Sequence, residues 1–119
     1  MSKPHEPAFS DLLAMMREGN PQVAEDGFHY LRPRAKEHVD ELLTALGNET
    51  SHAMQCWILE LIGEAKSDKA LVALCAYAKS QDDSLKSWAV QGLVKLNTRQ
   101  AKTFLKENGL APLKSAKKK

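Results

Sequence analysis

The chain has 119 residues, of which 43% are hydrophobic and 27% are charged. This is ordinary globular usage in an amount that fills one domain, so the composition excludes a mainly disordered chain. The formal net charge is only +2, and four lysines lie in the last six residues, which weakens any argument from bulk charge to nucleic acid. The start of the chain carries no apolar run typical of a signal peptide, and no stretch of about 18 apolar residues occurs. We therefore expect a soluble, cytoplasmic protein.

The composition divides the chain into three parts. Residues 1–8 are polar and contain two prolines, which predicts a flexible leader. Residues 9–109 carry the hydrophobic periodicity of one folded domain, and residues 110–119 form a basic tail. We interpret the tail as a solubilising end, with the steering of an acidic partner or RNA as the alternative.

The first half of the domain reads as three helices. Ser10 is a suitable N-cap for a first helix over residues 11–18. Pro21 fits the start of a second helix, which Pro33 must end because proline cannot continue a helix. An amphipathic pattern then predicts a third helix over residues 34–46.

The second half of the domain reads as four more helices. Thr50 or Ser51 is placed to cap a fourth helix, and Asp68 begins a fifth. A sixth helix covers residues 85–96, and a seventh ends at Asn108. All of the apolar stripes have helical spacing, so we predict an all-α fold.

The fourth and sixth helices are near-copies of each other. Residues 54–65 read MQCWILELIGEA and residues 85–96 read LKSWAVQGLVKL. The alignment of Trp57 with Trp88 gives the repeat a period of 31 residues. The apolar residues of the helices that precede them repeat at the same spacing. A helix pair repeated at such a period is typical of a solenoid, whose units stack and share a core.

The sixth helix resembles the second helix of a HEAT repeat, in which an aliphatic residue is followed by Arg, then Ala, then a Leu-Gly pair. Leu85, Lys86, Ala89 and Leu93 fill the first four of these positions, and the earlier copy keeps the glycine as Gly63. The earlier copy departs from the pattern at its basic and small positions. The resemblance extends over roughly residues 9–108.

This resemblance implies a right-handed α-solenoid of about three and a half antiparallel HEAT-like helix pairs, with the second helices lining a concave face. HEAT-like proteins mostly bind other proteins. A minority bind or repair nucleic acids. HEAT-like proteins of the PBS-lyase type modify or chaperone bilins, and small bacterial members can act as antidotes to a toxin. We therefore expect a non-enzymatic protein-binding scaffold of a bacterial-type cytoplasm, with an immunity protein as a special case and a nucleic-acid-binding module as the alternative. We also expect a monomer or a weak homodimer formed through an end repeat.

The candidate partner-binding residues are those that the second helices turn away from their apolar stripes. Their charges are mixed, which suits a protein partner better than a phosphate backbone. In the alternative, the lysines and arginines of this face and of the tail contact a nucleic acid. The candidates are Glu25, His29, Arg32, Gln55, Leu59, Glu60, Lys86, Gln91 and Lys95.

The two tryptophans allow two interpretations. Trp57 and Trp88 could form a stacking platform for bases, or they could pack as core rings between repeats. Both lie beside the apolar stripe of their helices, so we favour the core.

The sequence contains no pattern of metal-binding or catalytic residues. The four histidines never occur as HxxxH or HExxH, so we expect neither a metal nor a cofactor. Glu60 and Glu64 share a helix face, and we interpret them as a solvated pair because nothing supplies an apolar pocket that would raise one pKa. Cys56 and Cys75 are interpreted as free, mostly buried thiols without a histidine partner, with a disulfide as the alternative. An enzyme of the bilin-lyase or glycosylase type would need a pocket around a perturbed carboxylate.

Overall fold

Residues 7–110 are described by the computed structural model, and within this range every regular element is a helix. The prediction of an all-α fold is confirmed. The predicted leader and lysine tail lie mostly outside the described residues. The helices are α1 (Phe9–Met16), α2 (Pro21–Leu31), α3 (Val39–Asn48), α4 (His52–Ala65), α5 (Leu71–Ala78), α6 (Asp83–Leu96) and α7 (Arg99–Glu107), with 3-10 turns over Arg32–His38 before α3 and Asp68–Ala70 before α5.

Polar caps set the starts of the two near-copies. The Ser51 hydroxyl accepts a hydrogen bond from the Met54 amide at the start of α4, so Ser51 rather than Thr50 is the cap. The Asp82 carboxylate accepts from the Leu85 amide at 3.0 Å at the start of α6. Each cap satisfies an amide that has no partner inside its own helix.

The two near-copies also end in the same way. Lys66 follows α4 with φ 51°, and Asn97 follows α6 with φ 56°, so both helices end on a left-handed residue. These two residues are separated by the same spacing as Trp57 and Trp88, which means that the repeat extends to the backbone conformation. Left-handed backbone is uncommon outside glycine, and lysine gains less from local hydrogen bonding there than asparagine does.

Two predicted helix starts differ from the structure. Ser10 lies inside α1, whose N-cap is Ala8, so the predicted cap is wrong. Instead of an α-helix from residue 34, the chain forms a 3-10 turn over Arg32–His38 that includes Pro33. Proline lacks the amide that an α-helical turn needs, and the tighter turn bends the chain from α2 into α3.

A single hydrophobic core runs through the described helices. α4 packs along α6, although α5 separates them in the chain. Consecutive helices pack as α1 on α2, α3 on α4, α5 on α6 and α6 on α7. The expected contact between the two near-copies is therefore present. None of the helices within residues 7–110 combines the length and the apolar character needed to cross a bilayer.

Polar contacts between helices follow the period of the sequence. Five side-chain contacts within residues 7–110 join residues that are 29 to 32 positions apart, so each of these five links one repeat to the next. Exposed pairs of this kind add little stability singly, but they fix how neighbouring units are aligned. The pairs are Arg17 with Glu49, Arg32 with Glu64, Asp40 with Lys69, His52 with Asp82, and Glu64 with Lys95.

Candidate partner-binding face

Polar side chains from α2, α4 and α6 meet on one surface, which we call the open face. It consists of His29 and Arg32 at the end of α2, Glu60 and Glu64 on α4, and Trp88, Gln91 and Lys95 on α6. Glu60 and Glu64 are one helical turn apart, as are Gln91 and Lys95, so each pair presents its side chains in the same direction. Sequence spacing and helix packing together build this face.

Glu64 is the centre of the charges on the open face. Its Oε2 accepts a hydrogen bond from Arg32 Nη2 at 3.3 Å, and it also accepts one from Lys95 Nζ. These two bonds lower the pKa of the Glu64 carboxyl, with the Lys95 hydrogen bond as the largest cause. Two cations of the face are thus already paired with a carboxylate of the protein itself.

The neighbouring carboxylate behaves in the opposite way. Partial burial raises the pKa of Glu60, and the nearby Glu64 adds to this, while Arg32 and Lys95 oppose it. Glu60 and Glu64, interpreted from the sequence as a solvated pair, are both partly exposed, but their carboxyls occupy different environments. The sequence could not supply this result because the burial of Glu60 comes from α6.

A crevice beside Glu60 separates α4 from α6, but it is very small. Its volume is about 10 Å³, and Trp88, Gln91 and Gly92 contribute to its walls. This is room for about one water molecule, so the crevice cannot enclose a substrate beside the perturbed carboxylate.

A much larger cavity lies at the other side of α4, which we call the Trp57 groove. It has a volume of about 530 Å³ and is lined by Met16, Arg17, Ala24, Ser51, Ala53, Met54 and Trp57. The Trp57 ring stacks on Phe28 of α2, with ring centroids 5.1 Å apart and planes inclined by 21°. Most of the lining is apolar, and Arg17 is its one charged side chain.

The two tryptophans pack against the core without being buried in it. Trp57 and Trp88 are both partly exposed and lie against the hydrophobic core, so the core interpretation describes only one side of each ring. The exposed part of Trp57 faces the groove, and that of Trp88 borders the crevice. Partly exposed aromatic rings are frequent anchors in protein interfaces.

The structure brings together five of the nine predicted binding residues, namely His29, Arg32, Glu60, Gln91 and Lys95. Glu25 is exposed one turn before His29 on α2, at the border of the open face.

Two predicted residues lie elsewhere, and a third lies beside the open face. Leu59 has 0% exposure, so its prediction as a surface contact is wrong. Gln55 is half-buried, and its side-chain amide donates to the Glu49 carbonyl at 2.9 Å. Lys86, near the start of α6, lines another cavity of about 510 Å³ together with Val90, Leu110 and Gln91 of the open face.

Sequence reasoning missed Glu64 and placed the tryptophans too deep. Glu64 and Lys95 are opposite charges, and the spacing between them equals the period of the repeat. Equivalent positions of adjacent repeats meet when the repeats stack, so opposite charges at two such positions predict an ion pair. This signal could have identified Glu64 and Lys95 from the sequence.

The cysteines form no disulfide, and their surroundings do not activate them. Burial raises the pKa of both Cys56 and Cys75. Contrary to the prediction, Cys56 has a histidine neighbour, with His52 Nε2 at 3.9 Å from its Sγ. The same Nε2 lies 2.9 Å from Asp82, so the imidazole does not bridge the carboxylate and the thiol through opposite nitrogens as in a catalytic triad.

Within residues 7–110, no three His, Cys, Asp or Glu side chains are grouped so that they could hold a metal ion. Comparisons with models of protein families, with curated proteins and with solved structures gave no match, so the geometry described above is the basis for any functional conclusion.

Proposed function

We propose that this chain is a small HEAT-like solenoid that binds another protein through the open face and the adjoining Trp57 groove. The proposal includes a right-handed superhelix of about three and a half helix pairs, non-enzymatic action, and the immunity protein as a special case. The partner is held by a preformed surface, so little conformational entropy is lost when it binds.

The helix contacts support the repeat architecture. α1 packs on α2, α3 on α4 and α5 on α6, which gives three successive pairs followed by the single helix α7. The second helices of the last two pairs lie side by side, and the polar contacts between repeats join residues 29 to 32 positions apart. Stacking of equivalent units produces this arrangement directly.

The observation that carries the binding proposal is the position of Trp57. Its partly exposed ring borders an open apolar groove of about 530 Å³, one helical turn from Glu60 and two turns from Glu64. An aromatic anchor beside a polar rim is the usual composition of a protein interface.

The charge arrangement favours protein over nucleic acid. Arg32 and Lys95 both bind Glu64, and His29 lies near Glu60. A phosphate backbone is bound by clustered cations, whereas Glu60 and Glu64 lie among the cations of this face and repel phosphate.

Site-specific photo-crosslinking in the organism that encodes the chain tests the proposal. Benzoylphenylalanine replaces Gln91, which is exposed on the open face, or Val72, which is 80% exposed on α5. We expect the probe at Gln91 to give one dominant crosslinked protein and the matched probe at Val72 to give none. Equal crosslinking from both positions, or no crosslink from Gln91, contradicts the proposed binding face.

Fluorescence anisotropy with labelled single-stranded RNA and duplex DNA tests the nucleic-acid alternative. We expect no binding that depends on salt concentration. Affinity that falls steeply with salt, and that is lost in Lys86→Glu, would instead establish the nucleic-acid function.

A further inference from the structure

The Trp57 groove combines adaptable apolar walls with one positioned cation. Met16 and Met54 contribute flexible thioether side chains, and Trp57 contributes a flat aromatic wall. Methionine adapts to differently shaped partners, and a volume of about 530 Å³ falls in the range of small-molecule sites. The groove can therefore take a bulky apolar group.

Arg17 is held rigidly at the edge of this groove. Its Nη1 donates to Glu49 Oε2 at 3.0 Å, and its Nη2 lies 2.6 Å from Glu49 Oε1. The Glu49 side chain is only 3% exposed, whereas that of Arg17 is 49% exposed. The carboxylate thus orients the guanidinium from the inner side and leaves its outer side in contact with solvent.

The remaining donors of Arg17 are available for a second acceptor. A guanidinium has five N–H groups in a planar fork, and one of them, on Nη1, is hydrogen-bonded to Glu49. Because Glu49 lies on the buried side and Arg17 lines the groove, a second oxygen partner can approach the fork from the groove. A carboxylate matches this geometry best.

We propose that the Trp57 groove binds a peptide segment in which a bulky apolar side chain is followed directly by a carboxylate. The apolar side chain packs between Trp57 and Met54, and the carboxylate pairs with the outer edge of Arg17. This inference rests on the proposed protein-binding function and names the chemistry of the segment that the partner inserts. The carboxylate is that of a peptide C-terminus, because a C-terminal residue carries both groups on one Cα atom and Arg17, Met54 and Trp57 line the same groove.

Small probes test this chemistry on the unmodified chain. N-acetyl-phenylalanine carries the apolar group and the carboxylate, and N-acetyl-phenylalanine amide lacks only the charge. Titration is followed by NMR chemical shifts of the Trp57 indole and the Ala53 amide, at probe concentrations up to about 10 mM because fragments of this size bind weakly. We expect the acid to bind about tenfold more tightly than the amide, since a hydrogen bond to a charged group is worth that factor. Equal affinities, or shifts that do not include these groove signals, overturn the proposal.

A charge-neutral double variant provides the matched control. Arg17→Gln alone leaves Glu49 buried without its cation, whereas Arg17→Gln with Glu49→Gln removes both charges together. In the double variant we expect the acid and the amide to bind equally. A preference for the acid that persists there, in a protein whose NMR spectrum remains folded, overturns the role of Arg17.

A third probe distinguishes the two sources of the carboxylate. N-acetyl-phenylalanyl-aspartyl amide presents the acid on a side chain, and N-acetyl-phenylalanine presents it at the C-terminus. We expect N-acetyl-phenylalanine to bind more tightly, and equal or tighter binding of the aspartyl amide would overturn the assignment to a C-terminus. These titrations need no partner protein, so their failure leaves the Gln91 crosslinking result intact, and the failure of the crosslinking leaves the titrations intact.

Discussion

The two sides of α4 differ in what packs against them. On one side, α4 meets α6 through Gly63 and Gly92, where a Cβ atom added to Gly63 would lie 3.0 Å from the Gly92 Cα. On the other side, α4 packs against the 3-10 turn Arg32–His38 and touches α2 through the stacked rings of Phe28 and Trp57. We call the first the closed seam and the second the open seam.

The cavities follow from these side chains. The closed seam leaves about 10 Å³, and the open seam leaves about 530 Å³. Glycine lets two helix backbones approach, whereas a stacked pair of rings holds them apart at their ends. The two sides of one helix therefore carry either a sealed contact or an open groove, depending on a few residues at the seam.

The largest expected effect is the loss of a large side chain from α4 at the closed seam. Leu59 is fully buried one turn before Gly63 on the same side of α4. We expect Leu59→Ala to lower the free energy of unfolding by about 2–5 kcal/mol, because it removes apolar contacts and leaves a cavity. Urea denaturation measures this change. Gln91→Ala, at an exposed position, serves as control and should change the free energy of unfolding by no more than about 0.5 kcal/mol. An equally small change for Leu59→Ala would mean that Leu59 lies on the surface.

Adding volume to the closed seam should cost less. We expect Gly63→Val to lower the free energy of unfolding by about 1–3 kcal/mol, because its side chain meets the Gly92 backbone at close range. Gly47→Val is the matched control, since nothing lies within 4 Å of a Cβ atom added there. The control should be neutral within about 0.5 kcal/mol. If both variants unfold at the same urea concentration as the unmodified chain, the seam is not closed by its glycines.

The stability that the Arg17–Glu49 pair contributes at the open seam should be lost in acid. The hydrogen bond from Arg17 holds the pKa of Glu49 below its ordinary value of 4.5, so this carboxylate stabilises the fold above that pH. The stabilisation is lost as the pH falls below 4.5 through the lowered pKa of the folded state. We expect Glu49→Gln to be less stable by about 1 kcal/mol at pH 7 and to approach the unmodified chain in acid. Thermal unfolding at several pH values measures this, and a stability difference that does not change with pH would contradict it.

The helices were predictable because their signals are local. Ser51, Asp68 and the stripe of residues 85–96 lie where the structure begins or continues helices, and the period of the repeat identified α4 and α6 as neighbours. Capping and periodicity depend on residues within a few positions of each other, so one sequence contains them in full.

The flanks of the amphipathic helices were not predictable in the same way. Leu59 and Trp57 both lie near the edge of the apolar stripe of α4, yet Leu59 is buried and Trp57 is partly exposed. The outcome depends on how closely the neighbouring helix approaches, which Gly63 and Gly92 decide at one seam and Phe28 decides at the other. The nine candidates accordingly do not all lie on one face, because they were chosen from one helix at a time.

The smallest predicted effect concerns Glu60, at the crevice of the closed seam. Burial raises its pKa, so the charged form is disfavoured in the folded state, and this costs stability at pH values above that raised pKa. The equivalent position one repeat later, on α6, already carries the uncharged Gln91. We therefore expect Glu60→Gln to raise the free energy of unfolding at pH 7 by up to about 0.5 kcal/mol, and to lose this advantage as the pH falls through the raised pKa. Glu25→Gln, an exposed carboxylate of α2, is the matched control and should change nothing. Destabilisation by Glu60→Gln at neutral pH would mean that the attraction of Arg32 and Lys95 outweighs the burial, and the closed seam would then be held by its charges as well as by its glycines.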